Sequence, residues 1–370
     1  MKSLRGISVV IPTYGRTDMV KDLLESLYKQ EKFQEFEVII VDSSSSPVNS
    51  KIEDMCKSYG AKYIWNSDRR PSVNRNIGIR ESKYDIILFI DSDCIATPNL
   101  LSAHYEKYKT DNIGGVVGLT KFIGPSKIGY KLMENTPFIL PFKFALMRDE
   151  ALWGPTSNIS FRRDVLLQVG GFDESLPIIA GGEDVDIGWK VVDAGYTIKT
   201  NPKAVVIHRR DTWNGLKDAI SRSFRWGRAD YYLVQKHPRR KIIDYPKFSI
   251  ILFFLTMLSF FTILNNRTII ILLLPVISLF LYLCITALFG DKYNKGYSFF
   301  YRLGGRFLML VFEIGYVVEC FLHIDFKHIF LKPLHHKEQI ITTLRDDVAR
   351  VWAELSSTLA FFFLFILFIL

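Results

Sequence analysis

The chain has 370 residues, which is enough for one large domain or two domains of ordinary size. Its formal net charge is +9 while its mean hydropathy is positive, a combination that is unusual for a soluble enzyme. The four cysteines show no CxxC spacing, which argues against a disulfide framework and against a zinc site. The chain also lacks GxGxxG and GxxxxGK[ST], the usual motifs for NAD binding and ATP hydrolysis.

Short apolar runs alternate with helical patterns in the first part of the chain. Four runs have the pattern of buried strands, at 7–12, 36–41, 62–65 and 85–90. Helical patterns separate them, at 17–30, 51–59 and 72–80. This alternation predicts an α/β fold with a mostly parallel sheet and helices on both faces. Sheets of this kind bind their ligands beyond the carboxyl ends of the strands.

Polar residues follow three of these strands where they end. They are Pro12-Thr13-Tyr14, Asp42-Ser43-Ser44 and Asp91-Ser92-Asp93. The two carboxylates of the last group repel each other unless a cation lies between them. Oxygen ligands of this kind suit Mg²⁺ or Mn²⁺, which also take phosphate oxygens. The alternative is a solvated turn at the end of a strand.

Two later segments of the chain have a distinctive composition. Residues 114–141 carry irregularly spaced Gly and Pro, and we expect them to form a connection over the active face. The stretch GGEDVDIGWKVVDAGY, at 181–196, places four carboxylates at the start of a helical pattern. Acids are stabilised at helix N-termini, so a solvated helix start is the simplest explanation of this cluster.

The second half of the chain contains long apolar runs. Those at 248–264 and 268–290 contain no charge and are separated by Asn265-Asn266-Arg267. Because about 20 apolar residues span a bilayer as a helix, they predict a transmembrane hairpin, with two buried core helices as the alternative. The run at 297–324 is broken by four charges, and the run at 357–370 is wholly apolar but short for a span.

Basic residues crowd in front of this hairpin. Nine Lys and Arg against three Asp lie between 217 and 247. Such clusters favour the cytoplasmic side of a membrane and anionic lipids, and their position beside membrane segments argues against a nucleic-acid partner. Since the first residues form a strand pattern rather than a signal peptide, we expect the part before the hairpin to be cytosolic.

Six blocks of the chain resemble, in the same order, those of the family 2 glycosyltransferases. They are ISVVIPTYGR, VIIVDSSS, VNRNIGI, FIDSD, TSNISFRRDVLLQVGGFDE and GGEDVDIGWKV. The family consists of inverting enzymes with the GT-A fold that use nucleotide-sugar donors. The resemblance implies a GT-A domain at 1–230, followed by a basic juxtamembrane segment at 231–247. The transmembrane hairpin at 248–290 and a membrane-associated region with further apolar helices at 291–370 complete the predicted organisation.

The resemblance implies a nucleotide site at the ends of the strands. Pro12 and Tyr14 would line the base pocket, and Asp42 would hydrogen-bond the base. Arg75 would lie near the nucleotide, and Asp91 would contact the nucleoside. Relatives often carry a second acid after the position of Asp42, where this chain has a serine, so the choice of nucleotide stays open.

The resemblance also implies a metal and a catalytic base. Asp93 would hold Mn²⁺ or Mg²⁺ on the diphosphate, and His208 would offer an imidazole from a distant strand, with a purely structural histidine as the alternative. Asp184 would take the proton of the acceptor hydroxyl, supported by Glu183. The two remaining acids of this stretch, Asp186 and Asp193, are expected to be solvated.

Two further segments are predicted to contact the sugar or the acceptor. Trp153 and Asn158 would shape the pocket, with ordinary packing as the alternative. Arg222-Ser223-Phe224-Arg225-Trp226 resembles the RxxRW motif of membrane-bound polysaccharide synthases. Because Arg222, Arg225 and Arg228 recur every three residues, we expect them to share a helical face that holds a lipid diphosphate or an acceptor sugar beside Trp226. The alternative is an interfacial helix without a substrate.

The sequence therefore predicts an integral membrane enzyme, a metal-dependent inverting glycosyltransferase with its catalytic domain on the cytoplasmic side. Its partners would be a nucleotide-sugar donor, a lipid-linked or glycan acceptor and membrane lipids. A processive membrane polysaccharide synthase is the closest rival. A non-catalytic membrane scaffold is the second rival, although it would be expected to have lost the acids that this chain retains.

Overall fold

The computed structural model describes residues 4–177, 181–244, 247–266, 269–290, 296–335 and 344–369. These residues form two compact units. The first contains the chain up to Pro125 together with Ile139–Thr212, and the second contains Ser126–Phe138 together with the chain from Trp213 onward. This division differs from the boundaries at 230, 247 and 290 that the sequence suggests, which remain predictions.

The first unit is built on a nine-stranded mixed sheet. Its strands are β1 (Ile7–Thr13), β2 (Phe36–Asp42), β3 (Lys62–Trp65), β4 (Ile86–Phe89), β5 (Cys94–Ala96), β6 (Ile113–Ile123), β7 (Glu150–Ala151), β8 (Ile159–Arg162) and β9 (Thr197–Arg209). Eight of them follow the order β3-β2-β1-β4-β8-β6-β9-β5, and β7 pairs with β9. The first four strands are parallel, as predicted, because a helical crossover joins each of them to the next. β8, β5 and β7 are antiparallel to their neighbours.

Seven helices surround this sheet within the described part of the first unit. They are α1 (Thr17–Leu27), α2 (Val48–Tyr59), α3 (Pro71–Glu81), α4 (Leu100–Tyr105), α6 (Phe144–Met147), α7 (Arg163–Gln168) and α8 (Glu183–Asp193). In α1, Val20, Leu23, Leu24 and Leu27 recur at helical spacing and are fully buried against the sheet. The predicted α/β fold is thus confirmed.

The expectation that residues 114–141 form an irregular connection is wrong for the first part of this segment. Residues Ile113–Ile123 are strand β6, which pairs with β8 on one side and β9 on the other. Its glycines do not mark turns; they lie where a larger side chain would collide with a neighbouring residue. A Cβ on Gly115 would lie 2.8 Å from the ring of Phe161, and one on Gly118 would lie 2.2 Å from the amide of Asn158. Glycine therefore permits the close packing of a central strand here.

The second unit is mostly helical. Its described elements are α5 (Ile128–Met133), α9 (Leu216–Lys236), β10 (Lys241–Ile243), α10 (Phe248–Asn266), α11 (Leu273–Phe289), α12 (Phe299–Leu322), β11 (Leu331–Pro333) and α13 (Leu344–Ile369). β10 and β11 form an antiparallel pair. The two apolar runs of the predicted hairpin are α10 and α11, and the rings of Phe248 and Tyr282 stack between them at 3.9 Å. Residues 267–268, at the junction of these runs, lie outside the described residues.

One helix of the described chain is long and apolar enough to cross a membrane, the 23-residue segment Asp346–Phe368 of α13. The sequence suggests that the run at 357–370 is too short for a span. The structure corrects this expectation, because the apolar run continues the helix that begins at Leu344. The helices over Phe248–Leu264 and Leu273–Phe289 are apolar but shorter.

Candidate functional site

The loops after β1 and β2 lie side by side because these strands are parallel and in register, with Thr13 opposite Asp42. Asp42 is completely buried. Its carboxylate accepts hydrogen bonds from the Ser44 backbone N–H at 2.9 Å, from the Ser44 hydroxyl at 2.5 Å and from the Tyr63 hydroxyl at 3.0 Å. Burial and the neighbouring Asp42 raise the pKa of Tyr63. Asp42 therefore holds the turn after β2, and its contact with a base remains a prediction.

Tyr14 lies at the surface of this edge. Its side chain is 49% exposed, and the Arg69 guanidinium lies 4.5 Å from the centre of its ring. The backbone N–H of Gly15 donates to the Ser44 hydroxyl at 2.7 Å, which joins the two loops. Pro12 lies inside β1, opposite Val41, and is half-buried. An exposed aromatic face beside an arginine is a suitable surface for stacking a base.

Arg75 connects the two acidic motifs. It lies on α3 with a side chain that is 5% exposed. Its Nη1 lies 2.9 Å from Glu183 Oε1, and its Nη2 lies 3.5 Å from Asp91 Oδ1. Loss of water around Asp91 raises the pKa of that carboxyl, and the positive charge of Arg75 opposes the rise. The fold thus brings together two segments that are far apart in the sequence.

Asp93 and His208 meet because β5 pairs with β9, with Cys94 opposite His208. Asp93 Oδ1 lies 3.4 Å from His208 Nε2, and both residues are buried. His208 Nδ1 donates to the Arg209 carbonyl oxygen at 2.9 Å, so Nε2 is the nitrogen that faces Asp93. Asp93 Oδ1 accepts no hydrogen bond within the described residues.

This pair fits a metal ion. Asp93 Oδ1 is buried without a hydrogen-bond donor and faces an imidazole nitrogen, and a carboxylate oxygen and an imidazole are both common ligands of divalent cations. The ligand atoms of Asp93, Cys94 and His208 all lie within 4.8 Å of one another. Burial raises the pKa of the Cys94 thiol, with the two nearby aspartates adding to the effect. The thiol therefore stays protonated, and Asp93 and His208 are the better ligands.

The second oxygen of Asp93 is held by residues to which the sequence assigns no role. Asp93 Oδ2 lies 2.9 Å from Arg16 Nη1 and accepts a hydrogen bond from the Thr212 hydroxyl at 3.0 Å. The only sequence signal for Arg16 is its place at the end of ISVVIPTYGR, and Thr212 has none.

The acidic motif begins α8. Gly181 and Gly182 have φ angles of +83° and +85°, a left-handed conformation that favours glycine and turns the chain into the helix. Glu183 and Asp184 occupy the first turn, where carboxylates are stabilised by the helix dipole. Burial, followed by the charge of Glu183, raises the pKa of Asp184 to about 7, while Arg75 opposes this rise.

The expectation that Asp186 is solvated is wrong. Its side chain is completely buried, and its Oδ2 lies 3.3 Å from Lys190 Nζ one turn along α8. Asp186 lies on the face of α8 that packs into the protein, which acidic composition alone does not reveal. Asp193 is exposed, as predicted.

Trp153 and Asn158 take part in packing. Trp153 is 8% exposed and makes an edge contact with Phe144, with ring centres 5.7 Å apart. The Asn158 amide donates to the carbonyl oxygens of Leu119 and Ala204, each at 3.0 Å, and its oxygen lies 2.9 Å from His104 Nε2. Asn158 thereby ties β8 to β6 and β9. The structure places both side chains in the interior, and a role in the sugar pocket remains a prediction.

Arg225 and Trp226 belong to α9 in the second unit. Arg225 is exposed, whereas the Arg222 guanidinium lies 3.9 Å from the ring centre of Trp213. Arg228 forms an ion pair with the buried Glu319. All three arginines lie on α9 at the spacing that predicts a shared face, and stacking and ion pairing engage two of them. The binding of a lipid diphosphate or an acceptor sugar by this face remains a prediction. The half-buried Trp226 packs against Phe138, with ring centres 5.5 Å apart.

Comparison with known proteins shows what the first unit resembles. Residues 8–170 match the family model "Glycosyl transferase family 2". The first part of the chain is therefore similar to the family 2 glycosyltransferases. This match agrees with the resemblance that the six sequence blocks carry, and the mixed sheet with its helices agrees with the predicted α/β class. The match ends before α8, so the roles of Glu183, Asp184 and His208 do not follow from it.

Several curated proteins resemble the glycosyltransferase domain and its surroundings. The chondroitin synthase of Escherichia coli is 24% identical over 241 residues, which are 55% of this chain and 34% of that protein. The poly-beta-1,6-N-acetyl-D-glucosamine synthase of Staphylococcus epidermidis is 27% identical over 214 residues, 55% of this chain and 50% of its own. The pre-mycofactocin glycosyltransferase of Mycobacterium tuberculosis is 26% identical over 243 residues, which are 64% of this chain and 49% of that protein. The chain thus spans half or less of these relatives.

Among solved structures, a mannosyltransferase from Pyrobaculum calidifontis in complex with GDP-Man and Mn²⁺ is similar at a TM-score of 0.49 and 17% identity. The similarity covers 64% of this chain and 65% of that one.

Proposed function

We propose that the chain is a metal-dependent, inverting glycosyltransferase that moves a sugar from a nucleotide-diphosphate donor to an acceptor hydroxyl. The observation that carries the proposal is the position of Arg75, which reaches Asp91 beside the cation-binding pair and Glu183 beside Asp184. Through this arginine, a cation site and a carboxyl of raised pKa belong to one site within the first unit. Perturbed carboxyls grouped in this way are typical of active sites.

The proposed reaction needs a base and a stabilised leaving group. Asp184, with a pKa of about 7, is partly ionised near neutral pH and accepts the proton of the acceptor hydroxyl. The acceptor oxygen then bonds to the anomeric carbon of the donor sugar. The bond between that carbon and the diphosphate oxygen breaks, and its electron pair leaves with the diphosphate. Attack from the face opposite the leaving group inverts the configuration.

Asp93 and His208 are the residues that would hold the divalent cation, Mn²⁺ or Mg²⁺. The cation supplies charge stabilisation for the diphosphate. Glu183 has a separate task, because its negative charge helps to keep the pKa of Asp184 high, whereas Arg75 limits this effect. The balance between these two neighbours helps to keep the pKa of Asp184 near 7, where a general base is most effective at neutral pH.

We propose further that the second unit attaches the enzyme to a membrane with the catalytic domain on the cytoplasmic side. α10, α11 and α13 each expose large apolar side chains, including Phe254 (63%), Phe289 (62%) and Phe363 (65%). Exposed apolar surface of this extent on adjacent helices is typical of lipid contact. The basic stretch at 217–247 favours the cytoplasmic leaflet. A lipid-linked acceptor suits an enzyme tied to the bilayer, and the exposed Arg225 is a candidate contact for its phosphate.

The names of two relatives favour a second candidate, a polymerising synthase that adds sugars repeatedly. The two candidates differ in their products. A single-transfer enzyme yields one product of fixed mass, whereas a polymerising synthase yields a ladder of lengths from the same donor.

A donor screen tests the proposal. Full-length protein in detergent is incubated with a panel of nucleotide sugars and either Mn²⁺ or Mg²⁺, and release of nucleoside diphosphate is measured. We expect release from one donor class, lost in chelator and in Asp93→Asn. Asp193→Asn, an exposed carboxyl of α8, is the matched control and should keep full activity. Failure of every donor to bind or react would overturn the proposal.

A further inference from the structure

Arg16 is the one residue with a fixed positive charge that contacts Asp93 in the described chain. Its Nη1 lies 2.9 Å from Asp93 Oδ2, and the Asp93 side chain is only 4% exposed. The Thr212 hydroxyl donates to the same oxygen at 3.0 Å. Asp93 Oδ1, on the other side of the carboxylate, faces His208 Nε2 at 3.4 Å. One oxygen of the Asp93 carboxylate therefore contacts an arginine, and the other faces the predicted cation position.

The position of Arg16 is set by the backbone around it. The Gly15 N–H donates to the Ser44 hydroxyl at 2.7 Å, and the Arg16 carbonyl accepts from the Val20 N–H at 2.9 Å at the start of α1. Arg16 also follows Tyr14 by two residues, so one short turn carries both the exposed aromatic ring and the partner of Asp93. The backbone that carries Arg16 is thus held at the start of α1, within reach of Asp93.

This arrangement has an electrostatic consequence. A buried carboxylate needs a compensating charge, and Arg16 supplies it without any metal. A divalent cation at Asp93 Oδ1 and His208 Nε2 would then bind next to a positive charge that already neutralises its main ligand. Like charges at this distance repel, so the arginine lowers the affinity of the site for the cation alone.

We propose that Arg16 is a positioning residue that sets the metal affinity of the site. It holds Asp93 with Oδ1 turned to the cation position, and its charge makes the site bind the cation weakly until an anionic diphosphate compensates. Metal and nucleotide then bind cooperatively, and the coupling depends on Arg16. This inference rests on the metal site of the proposed function.

The experiment measures Mn²⁺ binding by the full-length protein from the spectrum of free Mn²⁺, first with Mn²⁺ alone and then with UDP or GDP present. In Arg16→Gln, we expect Mn²⁺ alone to bind about fivefold tighter or more than in the parent, and the gain on adding nucleoside diphosphate to shrink by a similar factor. Arg16→Lys keeps the charge and should resemble the parent.

Lys21→Gln is the matched control. Lys21 lies on α1, is 59% exposed, and pairs only loosely with Glu25 at 3.9 Å, so this variant removes the same charge away from Asp93. It should bind Mn²⁺ as the parent does. Equal or weaker Mn²⁺ binding in Arg16→Gln, with an unchanged melting temperature, would overturn the inference. Asp93→Asn distinguishes a failure of this inference from a failure of the metal site. Unchanged Mn²⁺ binding in that variant would refute the metal site itself and the role of Arg16 with it.

Discussion

Replacing Asp184 by asparagine removes a proton acceptor while it keeps the size of the side chain. The pKa of Asp184 is about 7, so in the parent about half of the molecules carry the base form at pH 7 and about a tenth at pH 6. Turnover of the parent should therefore fall about tenfold per pH unit below 7. In Asp184→Asn we expect turnover to fall by roughly two to four orders of magnitude, the usual contribution of a positioned general base.

The same substitution should stabilise the fold at high pH. The pKa of Asp184 is raised above the ordinary value of 3.8, so the folded protein binds its proton more tightly than the unfolded chain does. Stability is therefore lost as the pH rises from about 4 to 7, and the loss is complete above 7. This rise of the pKa corresponds to a loss of at most about 4 kcal/mol in the free energy of unfolding. Asp184→Asn lacks this penalty and should melt at a higher temperature than the parent at pH 8, but not near pH 4.

The assay combines donor turnover with thermal unfolding between pH 4 and 8. Asp193→Asn, at the exposed end of α8, is the control for both measurements. Asp186→Asn is unsuitable, because that side chain is buried and paired with Lys190. Near-normal turnover in Asp184→Asn, or a stability difference that does not change with pH, would refute the assignment of the base.

Four further predictions concern other parts of the molecule. His208→Gln should weaken Mn²⁺ binding at least tenfold by calorimetry, since it removes the imidazole opposite Asp93. Gly188→Ala should lower the melting temperature by several degrees, with a cost of about 1–3 kcal/mol, because its Cβ would lie 2.5 Å from Trp153 Cβ. Burial lowers the pKa of His104 to about 4, so the free energy of unfolding should fall by about 3 kcal/mol as the pH falls from 6.5 to 4. Urea titrations measure this loss, and His104→Gln should flatten the pH dependence. Phe363→Lys should reduce retention in carbonate-washed membranes, because a charge within a spanning helix costs about 2–3 kcal/mol.

Much of the first unit could be predicted from the sequence. The strands at 7–12, 36–41, 62–65 and 85–90 are continuous apolar runs, and such runs specify buried parallel strands locally. The turn residues that follow them mark the edge of the sheet where Asp42 and Asp91 lie. Local pattern was misleading for β6, because its glycines are required by packing against Phe161 and Asn158, and a linear pattern does not show what lies opposite a residue.

The site itself depended on tertiary structure. His208 reaches Asp93 only because β5 and β9 pair. Arg75 contacts Glu183, which lies 108 residues after the arginine, and thereby joins it to Asp91 only after α3 and α8 have packed. The sequence by itself determined the α/β class, the resemblance to the family and the order of the acidic motifs, since these follow from local apolar patterns and short motifs. Tertiary structure alone decided which carboxylates are buried and what faces them, because desolvation and charge pairing depend on neighbours in space.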